Sequence, residues 1–372
     1  MKKVLVITYH FLPEITPRAF RAFELASELS ENYEVEVISP VASFLGSEKF
    51  RYIAVPRGIK QVTTYNTAKP SMAHSGKLKE ILRYILHFFL PGGLSSLFAY
   101  SVLKNRSRLQ KKYDAVISIG LPIAPHIAAF FLKRCFGITE NLILDYGDPF
   151  SKNPKSKWSP LNHIVDKLAL NSANHVAVPV PNAVPAFKGL VSEQKIHIIP
   201  QGLKISDIAL KPYKKNEIPT CAYAGLFYER IRDPEAFFAK ILSSNFDFRF
   251  LVYTNLDIPE NKSLVEKYKN MDIYDRLEIH QSIPRDQCIQ LLASCDFIVN
   301  FTNDSATQNP SKLIDYSLAN RPILNVNSLN DDGTHFEEFI RGDYENAFPA
   351  IDLTEYDIRV VGKRFSELIE NN

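Results

Sequence analysis

Short apolar runs alternate along this chain with longer stretches in which apolar residues recur every three or four positions. The runs are bounded by polar or turn residues, which marks buried strands; the longer stretches mark amphipathic helices. Strands are predicted over 4–8, 35–38, 115–118, 142–145, 175–180 and 196–199, and again over 221–224, 248–253, 277–280, 297–301 and 322–326. The first helix shows the pattern well. Thr16 is placed to cap it, Pro17 sits where a missing N–H costs nothing, and Ala22, Leu25, Ala26 and Leu29 form one stripe. Further helices are expected around 126–132, from about 234 and over 286–293. Such alternation is the pattern of parallel βαβ units.

The pattern breaks once. Pro200-Gln201-Gly202 ends the first series, and the stretch Lys211-Pro212-Tyr213-Lys214-Lys215 follows before strands resume. The fold class is therefore α/β, with two Rossmann-like domains in tandem. Residues 1–203 form the first and 204–353 the second; a last helical stretch within 354–372 is expected to cross back to the first.

Composition narrows the class. A length of 372 residues suits two ordinary domains, and 45% hydrophobic with 23% charged residues is globular. A formal net charge of +3 is too small to argue for nucleic acid as a partner. The four cysteines make no C-x-x-C pair; Cys288 and Cys295, seven apart on one expected helix, read as small core residues, and the set fits a reducing cytoplasm. The N-terminal apolar run is short and lacks a small-residue cleavage site, so it reads as a strand and not a signal peptide. No run approaches the roughly 18 apolar residues of a spanning helix.

Ligands of open α/β sheets sit beyond the carboxyl ends of strands. The residues there are His10, Glu14, Arg18 and Arg21 after the first strand, His126 after Gly120, and Asp148 after the strand at 142–145. In the second half they are Gly225, Arg230 and Arg232, and then a polar loop leading to Asn309, Pro310, Ser311, Lys312 and Asp315. That last segment joins a strand end to a helix start. A helix N-terminus with free N–H groups suits an anion, and Lys312 adds a full charge. Cations for a diphosphate, with carboxylates for hydroxyls, match a nucleotide diphosphate sugar. Structural readings stand beside these. His126 can be a hydrogen-bonded core histidine, Asp148 a turn former, Arg230 a solvated charge, and Lys312 with Asp315 an exposed i, i+3 ion pair. No G-x-G-x-x-G, Walker loop or Gly-x-Ser-x-Gly elbow is present, and no clustered ligands argue for a metal.

The chain resembles the retaining, nucleotide-sugar-dependent glycosyltransferases of family 4, which have the GT-B fold of two Rossmann-like domains facing across a cleft. The resemblance is strongest where Pro310-Ser311-Lys312-Leu313-Ile314-Asp315-Tyr316 is followed by Asn320-Arg321-Pro322-Ile323-Leu324, and weaker landmarks elsewhere follow in order. It implies that Asp315 binds the donor ribose and that Lys312 and Arg232 neutralise the diphosphate. Gly225, Arg230, Asn309, Pro310 and Ser311 would complete the donor site. His126 would meet the transferred sugar, giving His126, Arg232 and Lys312 catalytic roles, and His10, Arg21 and Asp148 would lie on the acceptor side. The chain departs from the family at Thr307, where the first carboxylate of the E-x7-E pair would fall, and at Leu226 and Gln201. These departures fit a surface-polysaccharide branch, with a glycan or lipid-linked acceptor and neither cofactor nor metal. A catalytically inactive nucleotide-sugar-binding or scaffold protein and a GT-B epimerase or phosphorylase are the alternatives.

One segment stands apart. Over 77–112, Leu78, Ile81, Leu82, Ile85, Leu86 and Phe89 form an apolar face beside Lys77, Lys79 and Arg83, and a basic run from Lys104 to Lys112 follows. Two readings hold. One is a helix lying on an anionic membrane surface, which would make the protein peripheral on the inner leaflet. The other is an insertion packed on the first domain with a solvated basic face.

Overall fold

A computed structural model describes residues 1–14, 16–57, 90–153, 160–205, 209–227, 232–269, 276–302, 312–327 and 334–371. The chain divides into two compact units. One holds Met1–Thr63, Met72–Ile205 and Thr354–Asn372, and the other Thr64–Ser71 and Ser206–Leu353.

The first unit is built on a seven-stranded sheet: β1 (Lys3–Thr8), β2 (Glu34–Ser39), β3 (Arg51–Ala54), β4 (Ala115–Ile119), β5 (Leu142–Asp145), β6 (His175–Val178) and β7 (Ile196–Ile198). Their order is β3-β2-β1-β4-β5-β6-β7, all pairs parallel. The sheet is buried on both faces, which is why its strands read as unbroken apolar runs. Within β1 the faces alternate. Leu5 and Ile7 enter one core, Val4 and Val6 the other.

Helix α1 (Pro17–Leu29) starts as its sequence demands: the Thr16 side chain accepts from the Ala19 N–H at 3.1 Å, with Pro17 in the first turn. Its partner in the second core is the last helix of the chain, whose Ile358, Val361, Phe365 and Ile369 are buried there beside Leu25 and Leu29 of α1. Asp357 caps that helix by accepting from the Arg359 N–H. The two helices touch closely at Gly362, where an added Cβ would lie 2.4 Å from Glu28 Cγ. The other face carries α2 (Leu97–Lys104), α3 (Ala124–Arg134) and α4 (Pro160–Ser172).

The second unit has five parallel strands: β8 (Thr220–Ala224), β9 (Arg249–Thr254), β10 (Leu277–Gln281), β11 (Phe297–Phe301) and β12 (Ile323–Val326), in the order β10-β9-β8-β11-β12. Its helices are α5 (Glu235–Leu242), α6 (Pro259–Lys269), α7 (Arg285–Ser294), α8 (Lys312–Ala319) and α9 (Thr334–Arg341). The last helix is then α10 (Ile358–Glu370). One core is an aromatic cluster that includes Phe237, Phe238, Phe250, Phe297, Phe301 and Phe336.

Of the segment 77–112, residues 77–89 lie outside the described residues. In the remainder, Phe98, Ala99 and Val102 of α2 are buried in the first unit, while Tyr100, Lys104, Arg106, Arg108, Lys111 and Lys112 are exposed. No helix among the described residues is long and apolar enough to cross a membrane.

Candidate functional site

In the second unit the strand order reverses between β8 and β11, so the crevice at their carboxyl ends is where a doubly wound sheet receives a ligand. Gly225 follows β8, and α8 follows β11 beginning at Lys312. Both elements meet through Lys312, whose Nζ donates to Tyr223 Oη at 2.9 Å and lies 4.5 Å from the centre of that ring. Tyr223 Oη in turn donates to the Leu226 carbonyl at 2.8 Å, and Arg232 Nη1 donates to the same oxygen at 3.2 Å. One carbonyl thus links the two cations.

Gly225 leaves the space this needs. A Cβ there would fall 1.6 Å from Lys312 Nζ. Burial, and then the nearby Arg232 charge, push the Lys312 ammonium well below its ordinary pKa. The side chain has no carboxylate partner among the described residues. A buried cation beside a second cation is costly unless an anion accompanies it.

Asp315 sits one turn further along α8. The i, i+3 ion pair with Lys312 that the spacing allows does not form; instead Arg285 at the start of α7 donates from Nε at 2.9 Å and from Nη2 at 2.6 Å, both to Asp315 Oδ1. Burial raises the Asp315 carboxyl, while Arg285 works against that rise. Arg230, Asn309, Pro310 and Ser311 lie outside the described residues.

In the first unit the order reverses between β1 and β4. His10, just beyond β1, bonds through Nδ1 to Glu14 Oε2 at 2.8 Å, and Glu14 also pairs with Arg57. Burial raises the Glu14 carboxyl, and these two partners more than offset it, so the net shift is downward. Asp148, beyond β5, lies 3.6 Å from Arg18. The Arg18 guanidinium crosses Gly147, where a Cβ would fall 1.2 Å from Nη2.

Two residues read from the sequence as site groups are core groups here. Arg21 is 2% exposed, with Nε and Nη2 on the two oxygens of Asp145 and Nη1 on the Pro200 carbonyl at 2.7 Å. Its donors are engaged in tying β5 to the segment after β7. His126 is fully buried beneath Gly120, where a Cβ would come within 2.4 Å of its Nε2. Its Nδ1 bonds to Ser118 Oγ at 2.7 Å, and Nε2 has no partner among the described residues. Burial, with a smaller contribution from Arg18, lowers its pKa from 6.5 to about 3. It is a neutral imidazole packed 4.3 Å from the Tyr146 ring, and so lacks at neutral pH the second ring proton that an imidazolium acid would donate.

Sequence reading missed Tyr223 and Arg285. Tyr223 looked like an ordinary apolar strand residue, and its hydroxyl's role depends on Lys312, which lies 89 residues away. Arg285 opens a helix, and only the packing of α7 against α8 brings it to Asp315.

These two doubly wound units define the GT-B class of fold. No protein-family model matches the sequence, and no curated protein matches it. Solved structures do. HepE of Anabaena, in complex with UDP-glucose, aligns with a TM-score of 0.63 at 10% identity over 100% of both chains. Sucrose-phosphate synthase of Thermosynechococcus elongatus aligns with a TM-score of 0.62 at 13% identity, over 100% of this chain and 94% of that one. The lipopolysaccharide outer core galactosyltransferase WaaB, in its apo form, aligns at 0.57 and 11% identity over 99% of each chain. At such identities the likeness establishes the fold, and function must be argued from the site.

Proposed function

We propose that this chain is a glycosyltransferase that takes its sugar from a nucleoside diphosphate donor held at the switch point of the second unit. The carrying observation is Lys312: a half-buried ammonium beside Arg232, lacking a carboxylate partner among the described residues, at the carboxyl ends of β8 and β11. Cleaving the anomeric C–O bond leaves an extra negative charge on the departing diphosphate. Lys312 and Arg232 oppose it, and one such fixed donor is worth roughly 3 kcal/mol to the transition state. Asp315 takes the ribose hydroxyls. Retention, with same-face attack and the leaving phosphate accepting the acceptor's proton, follows from the family resemblance. Charge at the leaving group is met by side chains, without a metal.

HepE was solved with UDP-glucose, which supports a nucleotide-sugar donor for this chain, and WaaB is a lipopolysaccharide outer core galactosyltransferase, which supports a surface glycan or lipid-linked acceptor. The exposed Tyr100 and the basic residues 104–112 support a peripheral seat on an anionic inner leaflet. His10 and Asp148 are the acceptor-side candidates.

Thermal-shift binding with uridine, guanosine, adenosine and thymidine diphosphates and their sugars tests the donor site. The expected result is a selective rise in melting temperature that EDTA does not remove. Absence of any shift up to about millimolar ligand, where mass action would register a weak site, contradicts the reading. Binding with no transfer to any glycan acceptor would favour a binding or scaffold protein. Flotation with anionic liposomes is expected for the wild-type chain and lost on changing Lys104, Arg106 and Arg108 to Glu; failure of the wild-type chain to float removes the membrane seat.

A further inference from the structure

The Asp315 carboxylate is held unevenly. Arg285 places two donors on one oxygen, at 2.6 and 2.9 Å, and the other oxygen bonds no group among the described residues. The side chain remains 28% exposed, so the carboxylate is partly open at the surface. Its surroundings otherwise oppose ionisation. Burial raises the carboxyl, and Asp286 on α7 adds a like charge. Cys288 of α7 is a neutral thiol at physiological pH, pushed up to about 11 by burial and by Asp315 itself. Lys312, on the same helix, is turned away onto Tyr223. Arg285 is thus the cation bonded to this carboxylate.

We infer that Arg285 is a positioning residue for the donor site: by clamping Asp315 Oδ1 it fixes the carboxylate and leaves Oδ2 to accept from the vicinal hydroxyls of a ribose. This inference rests on the donor-site reading above. It adds that the specificity for a ribonucleotide depends on a residue from α7 that contacts no ligand. A guanidinium fits this task because its planar fork fixes two bonds at once, which an ammonium does not do.

The test is calorimetric titration of the full chain with UDP-, GDP- and ADP-glucose, whose diphosphates do not titrate near neutral pH. Wild type, Arg285→Gln, Arg285→Lys, Asp315→Asn and Arg285→Gln/Asp315→Asn are compared from about pH 5.5 to about pH 8.5. Arg285→Gln is expected to weaken binding about tenfold at neutral pH, the loss of one charge-assisted contact. It is also expected to lose further affinity, relative to wild type, as pH falls and Asp315 takes up a proton. Arg285→Lys should restore the pH profile but only part of the affinity. The double variant should bind no worse than Asp315→Asn alone.

Additive losses in the double variant, or a pH profile of Arg285→Gln parallel to wild type, would overturn the inference while leaving the donor site intact. That pattern would make Arg285 a helix-packing residue. Absence of binding by the wild-type chain to all three sugars would instead remove the donor reading, and this inference with it.

Discussion

His126 is a buried base and Lys312 a half-buried one, and they make different predictions. His126 carries a pKa lowered from 6.5 to about 3 by burial and Arg18. Between those values the unfolded chain binds a proton that the folded chain does not. Stability is therefore complete above about pH 6.5 and declines as pH falls, by about 1.4 kcal/mol per pH unit for one such group. Urea unfolding of His126→Gln should show a shallower acid slope than wild type; equal slopes would contradict the buried neutral imidazole. For Lys312 the folded pKa lies well below 10.5, so the unliganded protein gains stability as pH rises through the shifted value. An anion bound beside it reverses the preference. Nucleotide affinity should then fall with rising pH while stability of the free protein rises, and calorimetry in buffers of different ionisation enthalpy should show proton uptake on binding.

Elements differ in how plainly the sequence announces them. Parallel strands covered on both faces are continuous apolar runs, which is why β1, β4, β5, β8 and β11 were legible from hydrophobicity alone. β3 was missed because it is a short edge strand with only one fully buried residue, Ile53. α6 was missed because its sequence, Pro259–Lys269, is largely polar, so its stripe is thin. Gly225 could be singled out because it directly follows a strand end, and Lys312 and Asp315 because they open the helix after the next strand and its polar loop. Their partners Tyr223 and Arg285 could not, since those contacts arise from packing between distant segments. α10 was legible as a helix, and its place in the core of the first unit is testable. Phe365 is fully buried beside α1 residues, so Phe365→Ala should cost roughly 3–5 kcal/mol. A loss below about 1 kcal/mol in chemical denaturation would contradict that packing.

For the molecule as a whole, two doubly wound sheets place their switch points at β1/β4 and β8/β11, and Lys312, beside Arg232, stands at the second without a carboxylate partner among the described residues. The fold alone admits several activities. What selects donor binding is the charge imbalance around Lys312, which a diphosphate would neutralise. The decisive measurement is calorimetric titration of wild type and Lys312→Ala with the nucleotide sugars of the panel, with melting temperatures recorded to show that both chains are folded. One nucleotide sugar is expected to bind the wild-type chain, and Lys312→Ala to bind it at least about tenfold more weakly, the loss of a charge-assisted contact. Equal affinity in the two folded proteins would contradict a diphosphate site at Lys312.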